Sequence, residues 1–312
     1  MTDRPLGDLL VHADWSVSPK KRWVARAEWS GSWTVTAVQP VGPTPEFVAR
    51  LLKAANTHRV LAGFDFPIGL PRGYGMKTGE PNFPAFLRAI GAGRWAQFAD
   101  ISRTAEEVSV ERPFYPAGSA KGVTQAALIA GHAEKAFDDL RRRCERATPI
   151  RRAACPIFWT LGGNQVGRGA LSGWVEVVKP AQAQGAALWP FDGPLEDLSA
   201  GSGLIIAETY PAEAYGHVGV RFASNESKTN RLHRQTKANA IHTWADENGV
   251  ELITSVRALI DDGFGETKSG EDQFDALLGL LGMIEVADRR RPAADPSRLP
   301  DAWEGWILGQ SA

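Results

Sequence analysis

The pattern of hydrophobic positions along the chain predicts an α/β fold. Between residues 9 and 38, three short apolar or β-branched stretches follow one another, which predicts an antiparallel meander. Two later stretches, 59–65 (RVLAGFD) and 204–209 (LIIAET), are apolar without alternation, as expected of strands that are covered on both faces. We therefore expect five strands in one sheet, and residues 251–255 form either a further short strand or the lead-in to a helix.

Helical spacing is clearest near the C-terminus. Residues 271–289 place an apolar stripe on one helical face, made of Phe274, Leu277, Leu278, Leu281 and Ile284. Thr44 as N-cap and Pro45 at the first helical position predict an earlier helix. Residues 228–248 predict a helix that Gly249 ends, a further long helix is predicted at 123–146, and shorter signals predict helices at 84–90 and 256–262.

The middle of the chain is the least regular part. Glycine, proline and tryptophan are frequent there, and neither an internal repeat nor a low-complexity linker interrupts the sequence. We interpret the whole chain, 1–312, as a single domain whose core is 9–75 and 203–290, with a large insertion at 76–202. The last twenty residues contain several prolines and predict a tail that lies along the surface.

Acidic residues end the predicted buried strands. Asp14, Asp65 and Glu208 each lie at or just beyond a strand end, and a carboxylate in such a position is costly unless it is paired or bound to a cation. Asp272 and Asp275 share one face of the late helix, at its N-terminal end. Ligands of open α/β sheets collect at the carboxyl ends of the strands. These five acids therefore predict a site for Mg²⁺ or Mn²⁺, where two ions could bind.

Composition narrows the classes of function. The chain has 35 basic and 36 acidic side chains, a balance that does not by itself indicate nucleic-acid binding. Its two cysteines, Cys144 and Cys155, favour a disulfide-free cytoplasmic protein, and no zinc-binding spacing occurs. Neither a signal peptide nor a membrane-spanning apolar run is recognisable, so we expect no membrane partner.

Basic residues near the acids are candidates for substrate binding. Lys21 and Arg22 follow the first strand, and Lys228 and Arg231 begin a positive stripe after Glu208; each pair could bind a phosphate or form an ordinary solvated surface. The densest basic cluster lies in the middle of the chain and could contact nucleic acid or form an exposed helix face: Arg141, Arg142, Arg143, Arg146, Arg151 and Arg152.

Four segments carry a resemblance to known proteins: HADWSVSPKKRWVA, GFDFPIGLP, AETYPAEAY and EDQFDALLGL. They resemble the ribonuclease H superfamily and, within it, the predicted nucleases catalogued as domain of unknown function 429; the likeness covers 9–75 and 203–290. The resemblance implies a ribonuclease-H-like mixed five-stranded sheet with helices on both faces. It implies metal ligands at Asp14 and Asp275, places Asp65 and Glu208 on the motifs D-x-P-x-G-L-P and E-x-Y-P, and makes Asp272 the other acid of a D-x-x-D pair.

The acids and the resemblance together predict a metal-dependent hydrolase, a nuclease or phosphodiesterase, with Asp14, Asp65, Glu208 and Asp275 as catalytic residues. Its partner would be a nucleic acid or a small phosphoester. Two alternatives stay open. One is phosphoryl transfer on the related fold of actin and the sugar kinases, and the other is a nucleic-acid-binding module without turnover.

Overall fold

The computed structural model describes residues 4–118, 124–147, 152–161, 166–295 and 301–311. These residues cluster into two compact units. The first contains the described residues up to Asp65 together with Ala181–Ala294 and Ile307–Ser311, and the second contains those of Phe66–Pro180 and Asp295–Trp306. The chain enters the second unit at Phe66, before the predicted start of the insertion at residue 76. It returns to the first unit at Ala181, before the predicted end of the insertion at residue 202. The single-domain assignment stays a prediction.

A seven-stranded mixed sheet, counted over the described residues, forms the centre of the first unit. Its order is β5-β6-β4-β1-β2-β3-β7, with β1 (Leu9–Asp14), β2 (Trp23–Trp29), β3 (Trp33–Pro40), β4 (Arg59–Phe64), β5 (Ala187–Leu188), β6 (Gly203–Glu208) and β7 (Glu251–Leu252). The predicted α/β class is confirmed. The predicted number of strands is wrong, because β5 and β7 have two residues each and are too short to show a hydrophobic period.

Strand direction follows the hydrophobic pattern. All six residues of β1 and of β4 are buried, and these two strands run parallel to each other, as β4 and β6 do. Continuous apolar runs suit this arrangement because both faces of such strands are covered. β2 and β3 pair antiparallel, with a bulge between Arg26 and Ala27.

The described residues form twelve α-helices: α1 (Thr44–Ala55), α2 (Arg72–Thr78), α3 (Phe83–Ala89), α4 (Gln125–Gly131), α5 (Val166–Gly173), α6 (Lys179–Gln182), α7 (Leu195–Leu198), α8 (Pro211–His217), α9 (Arg231–Gln235), α10 (Ala238–Glu247), α11 (Thr254–Asp261) and α12 (Gly270–Ala287). The prediction of one helix over 228–248 is wrong, since α9 and α10 occupy that range. The long helix predicted over 123–146 is also wrong, because only α4 forms there and short 3-10 turns follow it.

Helix α12 is buried almost throughout and packs against β1, β2 and α8. His12, on β1, is fully buried, and its Nδ1 donates to the carbonyl oxygen of Ala276 at 3.0 Å. Burial lowers the pKa of His12 to about 4, so the ring is neutral at pH 7. A Cβ at Gly279 would overlap this ring, so glycine permits close approach of helix and strand.

An ion pair joins the starts of β1 and β4. The Arg59 guanidinium donates to both Asp8 oxygens, at 3.1 and 2.6 Å, and both side chains are largely buried. The hydrogen bond from Arg59 lowers the pKa of Asp8. A lowered pKa in the folded state means that the pair stabilises the protein above the unfolded pKa of Asp8 and is lost as the pH falls through the folded value.

Asp8→Asn is therefore expected to lower the free energy of unfolding at pH 7 by about 1–2 kcal/mol. Urea unfolding at pH 7 and pH 3 would measure the difference, which should shrink at the lower pH. Asp197→Asn, on the exposed surface of α7, is the matched control. An equal loss at both pH values would contradict the electrostatic explanation.

Aromatic side chains fill the second unit. Tyr74, Phe98 and Phe158 belong to one buried cluster of rings, and Trp174 donates its indole N–H to the carbonyl oxygen of Pro67 at 2.7 Å. The C-terminal segment contributes Trp303 to the same unit.

The prediction of a surface tail is wrong for residues 303–308, which are buried, whereas residues 296–300 lie outside the described part. In the first unit, Ile307 forms an isolated bridge with Glu208, and the backbone N–H of Leu308 donates to the Glu208 carbonyl oxygen at 2.8 Å. The chain end therefore pairs with the strand that carries a candidate site residue.

Candidate acidic site

The sheet register brings three predicted acids to one edge. Ala13 of β1 pairs with Phe64 of β4, and Phe64 pairs with Glu208 of β6. Because the three strands are parallel, Asp14, Asp65 and Glu208 all lie at their carboxyl ends. The backbone continues this alignment one residue further, since the Asp65 N–H donates to the Ala13 carbonyl oxygen at 3.1 Å. This edge is where open α/β sheets bind ligands.

Helix α12 adds Asp272 and Asp275 from its first two turns. Asp275 is only 4% exposed, and both of its carboxylate oxygens have a donor. The Tyr215 hydroxyl, on α8, donates to Oδ1, and the Lys228 ammonium group donates to Oδ2. Lys228 Nζ also lies 3.7 Å from Glu271 Oε1.

The acids are close enough to oppose one another's ionisation. Burial, and then the charges of Asp275, Asp65 and Asp272, raise the pKa of Asp14 well above its usual value. Burial and then the charge of Asp275 raise the pKa of Asp65 to about 7, while Lys228 opposes this shift. These effects join residues from β1, β4 and α12 in one electrostatic cluster.

The two acids on α12 also have raised pKa values, and Lys228 stays charged beside them. Burial raises the pKa of Asp272 to about 6, against the opposing charge of Lys21. Burial also raises the pKa of Asp275, and Lys228 again opposes it. Although burial alone would lower the pKa of Lys228, Asp275 and its neighbours raise it overall, so this side chain stays positively charged.

The donor chemistry of the cluster suits a hard cation, because carboxylate oxygens are the ligands that Mg²⁺ and Mn²⁺ prefer. One positive group, the Lys228 ammonium, already lies among them. Within the described ranges, however, His, Cys, Asp and Glu side chains form no group of three or more that could hold a metal ion. The carboxylates therefore share one electrostatic cluster, but in this conformation, in which Lys228 pairs with Asp275, they are not arranged as ligands around one point.

The four predicted substrate-binding residues occupy different environments. Lys228 lies inside the cluster, and exposed Lys21 is near enough to influence Asp272. Arg22 is buried, with its guanidinium 4.1 Å from the Trp15 ring and Nη1 donating to Thr44 Oγ1 at 2.7 Å. Arg231 forms ion pairs with Asp262 and Glu266.

The arginine cluster in the middle of the chain is largely engaged within the second unit. Arg142 is fully buried, and its Nε donates to Glu145 Oε1 at 2.9 Å. Arg143 donates to Glu304 Oε2 at 2.7 Å, and Arg146 lies 3.4 Å from Asp138. Arg151 lies outside the described residues. A long exposed basic helix, one interpretation of this cluster, is therefore wrong.

Tyr215 is the site residue that sequence reasoning missed. It lies on α8, directly after β6, in the segment AETYPAEAY, and its ring contacts Phe274 at a centroid distance of 5.5 Å. Its position seven residues after Glu208 is a weak signal, because a tyrosine on an amphipathic helix is usually a packing residue. The hydrogen bond to Asp275 assigns it to the cluster.

The chain matches no protein-family model, no curated protein and no solved structure. No helix in the described residues is both long and apolar enough to cross a membrane.

Proposed function

We propose that this chain is a divalent-metal-dependent phosphodiesterase or nuclease on a ribonuclease-H-like fold, similar to the predicted nucleases of domain of unknown function 429. One observation carries the proposal: acids at two parallel strand ends lie close enough to Asp275, on a buried helix, for its negative charge to raise their pKa. Such mutual repulsion is costly without a cation and is typical of functional sites. The partial strand order β3-β2-β1-β4-β6, antiparallel and then parallel, supports the proposed fold.

Bound Mg²⁺ or Mn²⁺ would lower the pKa of a coordinated water and stabilise negative charge on the phosphate. Asp14 and Asp65 would provide the central ligands, and Glu208 and Asp272 would complete the site from its two sides. Lys228 and Lys21 carry positive charge beside the carboxylates, where they would attract and orient an anionic phosphodiester.

Calorimetric titration with Mn²⁺ tests the metal site. Wild-type protein is expected to bind in the micromolar range, whereas Asp14→Asn should weaken binding by more than about 100-fold, since loss even of a supporting group costs 10–100-fold. Asp197→Asn serves as the control on an exposed carboxylate. Unchanged binding in Asp14→Asn, or no heat in the wild type, would contradict the proposed metal site.

Cleavage assays then test the reaction. The substrates are single-stranded DNA, single-stranded RNA, a four-way DNA junction and bis-p-nitrophenyl phosphate, each with Mn²⁺ and with EDTA. We expect hydrolysis of at least one substrate that EDTA and Asp14→Asn both abolish. Metal binding without hydrolysis of any of the four would favour a binding module instead.

A further inference from the structure

Lys228 contacts Asp275, a carboxylate that a second metal ion would need as a ligand. Its ammonium group donates to Asp275 Oδ2, while the Tyr215 hydroxyl donates to Oδ1, so both oxygens are engaged by groups of the chain itself. A divalent ion at the same carboxylate would meet the ammonium charge at close range. Two like charges there repel each other strongly, because the surroundings of Asp275 are largely buried.

The backbone of Lys228, in the segment between α8 and α9, is anchored by a buried side chain. Its carbonyl oxygen accepts a hydrogen bond from Arg234 Nη1 at 2.6 Å. Arg234 is 2% exposed and also donates to the carbonyl oxygens of Gly263 at 2.9 Å and Gly265 at 3.0 Å. One buried guanidinium thus ties Lys228 to the turn that precedes α12.

The same guanidinium packs on the start of α12. A Cβ at Gly270, the first residue of the helix, would overlap Arg234. Arg234 bonds to the Lys228 backbone and packs on the start of α12, the helix that carries Asp275. It therefore sets the distance between the Lys228 backbone and the Asp275 carboxylate, which the Lys228 side chain contacts. This arrangement keeps the Lys228 ammonium group beside the Asp275 carboxylate.

We infer that the site binds one divalent ion instead of two, and that the Lys228 ammonium group, held by Asp275, takes the place of the second. The inference rests on the proposed function and revises the sequence-based expectation that Asp275 ligates the first ion. Asp14 and Asp65 would bind the single ion. The Lys228 side chain is 37% exposed, so its ammonium can also reach an anionic oxygen of a bound phosphodiester.

Mn²⁺ stoichiometry tests this inference. Wild-type protein should bind one Mn²⁺ per chain in calorimetry, and Lys228→Met should bind two, because the loss of the ammonium frees Asp275. Lys228→Arg keeps a cation and should bind one. Lys53→Met, at an exposed position near the end of α1, controls for removal of a lysine and should also bind one.

Electron paramagnetic resonance of the same samples is an independent readout, since two Mn²⁺ ions about 4 Å apart are magnetically coupled. A coupled spectrum is expected for Lys228→Met alone. Two ions in the wild type, or one ion in a folded Lys228→Met, would overturn the inference while leaving the metal-dependent function intact. No binding to any of the four proteins would overturn the proposed function and the inference together.

Discussion

Asp65→Asn is expected to raise the free energy of unfolding of the metal-free protein at pH 8 by about 2–4 kcal/mol. Burial and the charge of Asp275 raise the pKa of Asp65 from 3.8 to about 7. The raised value means that folding disfavours the ionised carboxylate. The destabilisation is absent below the unfolded pKa, grows as the pH rises between the two values, and is complete above the folded one. Asparagine has nearly the same shape and never ionises.

Urea unfolding in EDTA at pH 8 and at pH 4 measures this effect. The variant should be more stable than the wild type at pH 8, and the two should converge at pH 4. Asp197→Asn should follow the wild type at both pH values. A stabilisation of the same size at pH 4 would show that charge is not its cause.

Saturating Mn²⁺ should reverse the order of stability. A ligand that binds only the folded state stabilises it by RT ln(1 + [L]/Kd), so tighter binding stabilises it more, and the wild type keeps the carboxylate that the ion needs. The Asp65→Asn protein should therefore gain little from Mn²⁺. Functional sites commonly reduce the stability of the protein that carries them. Urea unfolding in EDTA and in saturating Mn²⁺ would measure this loss of stability for one residue, Asp65.

The central strands and α12 could be predicted from the sequence because each has a long local pattern. Runs such as LIIAET require cover on both faces whatever their neighbours are, and the acids that follow them are visible as exceptions to the apolar pattern. β5 could not be predicted, since two residues carry no period, and β7 is predicted only as one of two alternatives for residues 251–255. They exist because neighbouring strands offer them hydrogen bonds.

The burial and pairing of charged residues could not be predicted from the sequence either. Arg142 and Arg234 look like solvated residues in the sequence, yet both are buried because distant partners receive their hydrogen bonds. The pairing of Lys228 with Asp275 joins residues 47 positions apart, which no local pattern encodes. Sequence reasoning thus found the acids of the candidate site and Lys228, but missed Tyr215 and the pairing of Lys228 with Asp275.

Helix α12 has its own critical contact, at Gly279. Gly279→Ala is expected to lower the free energy of unfolding by about 3 kcal/mol, because the new methyl group overlaps the fully buried His12 ring. Elsewhere in a helix, the same substitution should stabilise by up to about 1 kcal/mol. Gly169→Ala on α5 is the matched control, since a Cβ there meets no atom within 4 Å.

A double-mutant cycle separates overlap from other causes. His12→Ala alone should cost about 2–4 kcal/mol through the cavity that it leaves, but Gly279→Ala added to that background should cost little, because the ring is gone. Additive losses would show that the two residues do not share a contact. Since α12 also carries Asp272 and Asp275, the single Gly279→Ala variant should bind Mn²⁺ more weakly than wild type. If α12 is pushed away from β1, Asp272 and Asp275 move away from Asp14. The close packing that Gly279 permits therefore also keeps the acids of the candidate site together.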